Sequence, residues 1–181
     1  MNIWGKVLHL FGWNVEITAP RRNKCVICVA PHTSNYDFLL GLAAYRSLGR
    51  KANFLMKKFW FFFPLSIILK HFGGIPVRRN KHNGSLTEAI ITDFKHTDYM
   101  NLAVTPEGTR SATKQWRTGF LYIAYGAGVP IQLGIIDYKN KSIIIKDEYH
   151  PTGNIDIDMD YIKNYYIETG ELACYPEKFI I

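Results

Sequence analysis

Residues 25–49 read CVICVAPHTSNYDFLLGLAAYRSLG, and this stretch decides the fold class. Cys25 to Ala30 is a continuous apolar run with β-branched Val26, Ile27 and Val29, the pattern of a strand buried on both faces. Residues Pro31 to Asn35 break the run with polar groups. Ser34 or Asn35 then caps a helix that continues through DFLLGLAAYRSL to Leu48, with Gly49 as its stop. A buried strand that passes through a polar loop into a helix is the unit from which α/β sheets are built. Cys25 and Cys28 match C-x-x-C, but positions three apart on a strand face opposite sides. They read as packing residues, since redox pairs sit at a helix start and zinc knuckles need a turn.

The same alternation extends outward in both directions. Upstream, residues 3–11 (IWGKVLHLF) have the spacing of a short amphipathic helix, WNVEIT (13–18) alternates as a strand, and 20–24 is a basic turn. Downstream, 53–56 is a short strand, 58–71 reads as one helix ended by Gly73-Gly74, and IPVR (75–78) is a strand whose proline suits an edge. Ser85 and Glu88 make a capping-box pattern at the start of a helix to Phe94. NLAVTP (101–106) is a further buried strand. A helix over 119–125 is closed by Gly126 and Gly128. VPIQLGIID (129–137) and SIIIKD (142–147) are strands around a Tyr-Lys-Asn-Lys turn, and Asp158 to Thr169 is a last helix. The expectation is one α/β domain over residues 1–181, with a mostly parallel or mixed β-sheet flanked by helices.

The 181 residues suffice for one domain with a real core, and the 48% hydrophobic content excludes a disordered tail. Lys and Arg number 22 against 15 Asp and Glu, a net charge of +7 that points to an anionic partner: nucleic acid, a phosphorylated metabolite, an acidic carrier or a membrane surface. Three cysteines do not make a disulfide framework and fit a reducing compartment. The most apolar stretch, FWFFFPLSIIL (59–69), is too short to span a bilayer, is interrupted by Pro64 and is flanked by Lys57, Lys58 and Lys70. It reads as an interfacial segment or as a core helix. The N-terminus lacks the cleavage site of a signal peptide.

Polar groups with chemical potential gather where predicted strands end, which is where ligand sites of open α/β sheets collect. His32 and Asp37 are five apart. In a continuous helix they would diverge, so they meet only if His32 lies in the loop and Asp37 in the first helical turn. Asp37 would then take Nδ1–H of His32 and leave Nε2 as a base for a hydroxyl or thiol. The other reading on spacing alone is a first-turn acid beside an unrelated loop histidine. VTPEGTRS (104–111) also follows a buried strand. Gly108 permits a tight turn, Arg110 suits an anion, Glu107 is a candidate to orient Arg110, and backbone amides there can form an anion nest. A solvated turn is the plainer alternative. GGIPVRR (73–79) brings two glycines to a strand that ends in two cations.

Taken in order, HTSNYD, GIPVRR, PEGTRS and VPI resemble the motif series of the glycerolipid acyltransferases, which include the 1-acylglycerol-3-phosphate acyltransferases: H-x4-D, a G-I-x-x-x-R-like block, P-E-G-T-R-S and a V-P-I-like strand. The resemblance covers about residues 25–136. It implies a fatty acyl transfer from acyl-CoA or acyl-carrier protein to a hydroxyl of a lysophosphatidate-like glycerolipid, as in phospholipid biosynthesis. His32 would be the base and Asp37 its support. Arg79 and Arg110 would bind the acceptor phosphate from separate strand ends, with Glu107, Gly108 and Thr109 shaping the loop that carries Arg110. It implies no metal and no cofactor beyond the donor, and a membrane-associated enzyme on the cytoplasmic, inner face. Residues 54–72, with Trp4, Leu8, Phe11 and Trp13, are the expected membrane patch. An acceptor without phosphate (an aminolipid or sugar lipid) and a non-catalytic lipid-binding module are the alternatives. No G-x-S-x-G elbow, dinucleotide fingerprint or nucleic-acid-binding motif is present.

Overall fold

The computed structural model describes residues 2–77 and 86–181. The chain begins with α1 (Ile3–Leu10) and β1 (Asn14–Ile17), then β2 (Lys24–Val29) and α2 (Tyr36–Ser47). Next come β3 (Asn53–Lys57), α3 (Leu65–His71), β4 (Gly74–Val77), α4 (Leu86–His96) and β5 (Met100–Val104). The chain continues through α5 (Gly119–Ala127), β6 (Ile131–Asp137), β7 (Ser142–Tyr149) and α6 (Ile155–Tyr166). The strands form one seven-stranded sheet in the order β1-β7-β6-β2-β5-β3-β4. Neighbours pair in parallel except in the β6–β7 hairpin. The expected α/β sheet, mostly parallel and flanked by helices, is what the chain forms.

The central strands are buried on both sides, as their unbroken apolar runs require. On one face Val26, Cys28, Leu102, Ile131 and Leu133 pack with Ile90, Phe94, Leu121 and Ala124 of α4 and α5, and with Ile162 and Tyr166 of α6. The fully buried phenol of Tyr166 donates to the carbonyls of Cys28 and Gly134, at 2.7 and 3.2 Å, so its polar atom is satisfied inside that core. On the other face Cys25 and Ile27 meet Tyr45, and Leu8, Ala43 and Ala44 meet Ile136 and Ile143 beneath α1 and α2. Cys25 and Cys28 thus point to opposite faces; burial pushes the Cys25 thiol up to about 12 and that of Cys28 higher still.

Three element boundaries differ from expectation. The single helix expected over 58–71 is divided: a short 3-10 turn (Lys58–Trp60) comes first and α3 starts only after Pro64, which has no N–H to give to a preceding turn. No residue of either piece is buried, and Phe59, Phe63 and Ile67 are 79%, 81% and 61% exposed. The core-helix reading of this segment is therefore corrected. Helix α5 continues through Gly126, whose missing side chain admits Ile91 of α4, and ends at left-handed Gly128. Helix α6 starts before Asp158, at an Asn154 cap, because Asp158 is drawn inward to accept from the Tyr149 hydroxyl and from Thr152. The capping residue Ser85 lies outside the described residues.

Gly73 closes α3 as expected, and it does so under tight constraint. Its φ is +97°, and a Cβ there would lie 2.2 Å from the carbonyl oxygen of Ala52. That oxygen is backbone and cannot rotate away, so Gly73→Ala is expected to lose at least about 2 kcal/mol of stability. A thermal melt checks this, with a fall of roughly 5 °C or more expected for a chain of this size.

Candidate active site

Register brings the predicted groups together. β2 pairs with β5 so that Cys28 lies opposite Val104, and with β6 so that Val29 lies opposite Gly134. The loops that leave β2 and β5 therefore emerge side by side at the carboxyl edge of the parallel strands. The first carries His32 and the second carries Glu107 to Arg110.

His32 sits in the loop and Asp37 in the first turn of α2, as their spacing requires for contact. Nδ1 of His32 is 3.0 Å from Oδ2 of Asp37. The same oxygen accepts the amides of Thr33 and Ser34 at 3.0 and 2.9 Å. The loop thus wraps its N–H groups around the carboxylate, and a carboxylate at a helix N-terminus also faces the favourable end of the dipole. Asp37 is 4% exposed, so its charge depends on these donors. With Nδ1 committed to Asp37, Nε2 is the ring nitrogen left for a ligand.

Glu107 turns inward rather than toward Arg110. Its Oε1 accepts the His32 amide at 2.9 Å, and Oε2 is buried without a partner among the described residues. Burial pushes this carboxyl up to about 7, although the His32 amide and ring both pull it down. The expectation that Glu107 orients Arg110 is corrected: the partner of Arg110 is the Asn35 side chain, to which it donates. Gly108 turns the loop at φ +63°, and Thr109 accepts the Ser111 amide on its hydroxyl. Arg79 lies outside the described residues.

Two contributors escaped the sequence. Asn35 was legible only as a cap, and its side chain makes no capping bond. Tyr138, expected as a turn residue, donates from its hydroxyl to Oδ1 of Asp37 at 2.5 Å across 101 positions of sequence. No local spacing signals a contact of that range.

The site opens on a cavity of about 710 Å³ between α2 and the sheet. His32, Asp37 and Arg110 line one part of it. Elsewhere its walls are apolar, with Phe38 and Leu42 of α2 facing residues such as Val29 and Ile135 of the strands. Among the described residues no group of His, Cys, Asp and Glu has the arrangement of a metal site.

This architecture defines an α/β protein with a histidine–carboxylate pair at the strand ends, on the wall of a largely apolar chamber. A family model described as acyltransferase matches residues 14–133, and the chain belongs to that family. Among solved structures it is similar to the 1-acyl-sn-glycerophosphate (LPA) acyltransferase PlsC from Thermotoga maritima, with a TM-score of 0.63 and 15% identity over 91% of this chain and 76% of that one. At that identity the likeness is one of fold. Comparison with curated proteins gives no match.

Proposed function

We propose that the protein moves a fatty acyl group from acyl-CoA or acyl-carrier protein to a hydroxyl of a lysophosphatidate-like glycerolipid, the chain acting as one catalytic domain in phospholipid synthesis. The observation that carries this reading is that the His32–Asp37 pair lines the apolar cavity. Nε2 of His32 takes the proton of the acceptor hydroxyl as its oxygen attacks the thioester carbonyl. The carbon–sulfur bond then breaks, the proton passes from the imidazolium to the leaving thiolate, and an ester and a free thiol result. Asp37 supports the imidazolium between these steps. The donor's alkyl chain lies in the apolar chamber.

Arg110, on the cavity lining, meets the acceptor phosphate together with Arg79, and Glu107, Gly108 and Thr109 hold the loop in shape. The test is thiol release from long-chain acyl-CoA and from acyl-carrier protein, against a panel of lysolipid acceptors with and without phosphate. Turnover confined to acceptors without phosphate would refute the acceptor assignment. Arg110→Ala is expected to raise the KM for the phosphorylated acceptor by about 10–100-fold while leaving the donor KM nearly unchanged. Arg110→Lys should restore little, since lysine lacks the two-pronged donor geometry.

The same reading puts the protein at the inner, cytoplasmic face of the membrane. No described helix is long and apolar enough to cross a bilayer. The exposed residues Phe59, Trp60, Phe62, Phe63, Ile67 and Ile68 form one apolar ridge, and Ile3, Val7 and Leu10 of α1, with Phe11 just past its end, expose another. Trp4 of α1 meets Phe72 edge-on, centroids 6.0 Å apart, which joins the two segments. Leu8, expected in this patch, belongs to the core instead. Lys57, Lys58 and Lys70 flank the ridge, and each basic residue near an anionic surface adds about 1 kcal/mol. Flotation is expected to show binding to anionic vesicles at low salt and clear weakening at high salt. Failure to float with anionic vesicles at low salt would refute the membrane reading.

A further inference from the structure

We infer that Tyr138 is a positioning residue of this site, fixing the Asp37 carboxylate through the oxygen that the histidine loop does not reach. The inference rests on the reading of His32 as the base. Asp37 uses its oxygens differently. Oδ2 takes the His32 ring and the two amides of its own loop. Oδ1 takes the phenol of Tyr138 at 2.5 Å. An O–H to carboxylate contact of that length lies in the charge-assisted range. A carboxylate gripped at one oxygen still swings about its bond to Cβ. A donor from a distant element on the other oxygen removes that swing, so the ring meets an acceptor of fixed direction.

Tyr138 is presented by the scaffold rather than drawn in by the carboxylate. It follows β6 directly, and its backbone N–H donates to the Leu172 carbonyl at 2.8 Å. Its ring stands edge-on to Trp13, centroids 5.2 Å apart. The C-terminal segment that accepts its N–H also donates the Tyr175 amide to Thr33 Oγ1 at 3.1 Å, beside His32. Burial, then the hydrogen bond and charge of Asp37, push the phenol well above its ordinary titration range, so it remains a donor. Among the described residues, the other ionisable groups that act on this cluster include Glu107, on the His32 amide, and Cys174, close enough to Tyr138 to act on it electrostatically. Arg110 is engaged with Asn35. Among the described residues the donor to Oδ1 is Tyr138.

Tyr138→Phe tests this, because it keeps the ring, the Trp13 contact and the backbone N–H and removes one oxygen. The expected result is a fall of about tenfold in kcat, with both KM values within about twofold of wild type and an almost unchanged melting temperature. A second readout is the 15N spectrum of protein labelled in its histidine rings, with the His32 signals assigned by their loss in His32→Ala. Wild type is expected to show one tautomer, protonated on Nδ1, and Tyr138→Phe a mixture. A wild-type kcat with an unchanged tautomer overturns the inference. So does an activity loss accompanied by raised KM values and a lowered melting temperature, which marks a merely structural tyrosine. Turnover that survives His32→Ala would remove the base assignment, and the tautomer would still decide whether Tyr138 fixes the pair. An inactive His32→Ala beside a fully active Tyr138→Phe removes the role of Tyr138 alone.

Discussion

His32→Ala is expected to lower turnover by about 10²–10⁴-fold, the usual contribution of a positioned general base, without a matching loss of stability. The separation of the two effects follows from the hydrogen bonds. Removing the imidazole takes one donor from Asp37 and leaves the Thr33 and Ser34 amides and the Tyr138 hydroxyl in place. The carboxylate therefore stays satisfied and the loop keeps its shape. Asp37→Asn is expected to cost at least about tenfold in turnover for a different reason. Its amide oxygen can still accept the loop donors, but the negative charge that stabilises an imidazolium is gone. Thiol-release rates and thermal melts on both variants check this. A folded His32→Ala protein with near-normal acyl transfer would end the assignment of His32 as base.

Glu107→Gln is expected to remove a pH dependence of stability. The Glu107 carboxyl is raised from 4.5 to about 7 by burial. Between those values the folded protein holds a proton there that the unfolded chain has released. Stability from this group is therefore full at low pH and is lost as pH rises from about 4.5 through 7, by about 3 kcal/mol in total. Glutamine keeps an oxygen to accept the His32 amide and carries no charge to desolvate. The difference in unfolding free energy between wild type and Glu107→Gln should thus shift by about 2.5 kcal/mol between pH 5 and pH 8, since part of the loss has already occurred at pH 5, in favour of the variant at the higher pH. Denaturant titrations of both proteins at the two pH values measure it, and ionisable groups that do not interact with Glu107 cancel in the difference. An equal gap at both pH values would show that Glu107 does not titrate in this window.

The strands and the His32–Asp37 pair were legible because their signals are local. An unbroken run such as CVICV has to be buried on both faces, and a loop–helix junction with capping residues between His32 and Asp37 permits those two side chains to meet. The break at Pro64 was also open to a local reading, since a residue without an N–H cannot continue a helix. The exposure of the aromatic ridge was not. Apolar content alone does not separate a core helix from a surface one, because the distinction lies in what the rest of the chain brings to cover it.

Residue order by itself determined the α/β alternation, the strand ends that carry polar groups, and the motif series that marks the acyltransferase family. Each of these depends on neighbours within a few positions. Only the tertiary structure decided the order of the strands in the sheet, that Glu107 faces the His32 amide instead of Arg110, and that Arg110 reaches Asn35. Only it decided that the Tyr138 hydroxyl completes the shell around Asp37. These contacts join residues some 75 to 101 positions apart. They exist because strand register lays separate loops along one sheet edge, and register is set by the packing of the whole sheet rather than by any segment within it.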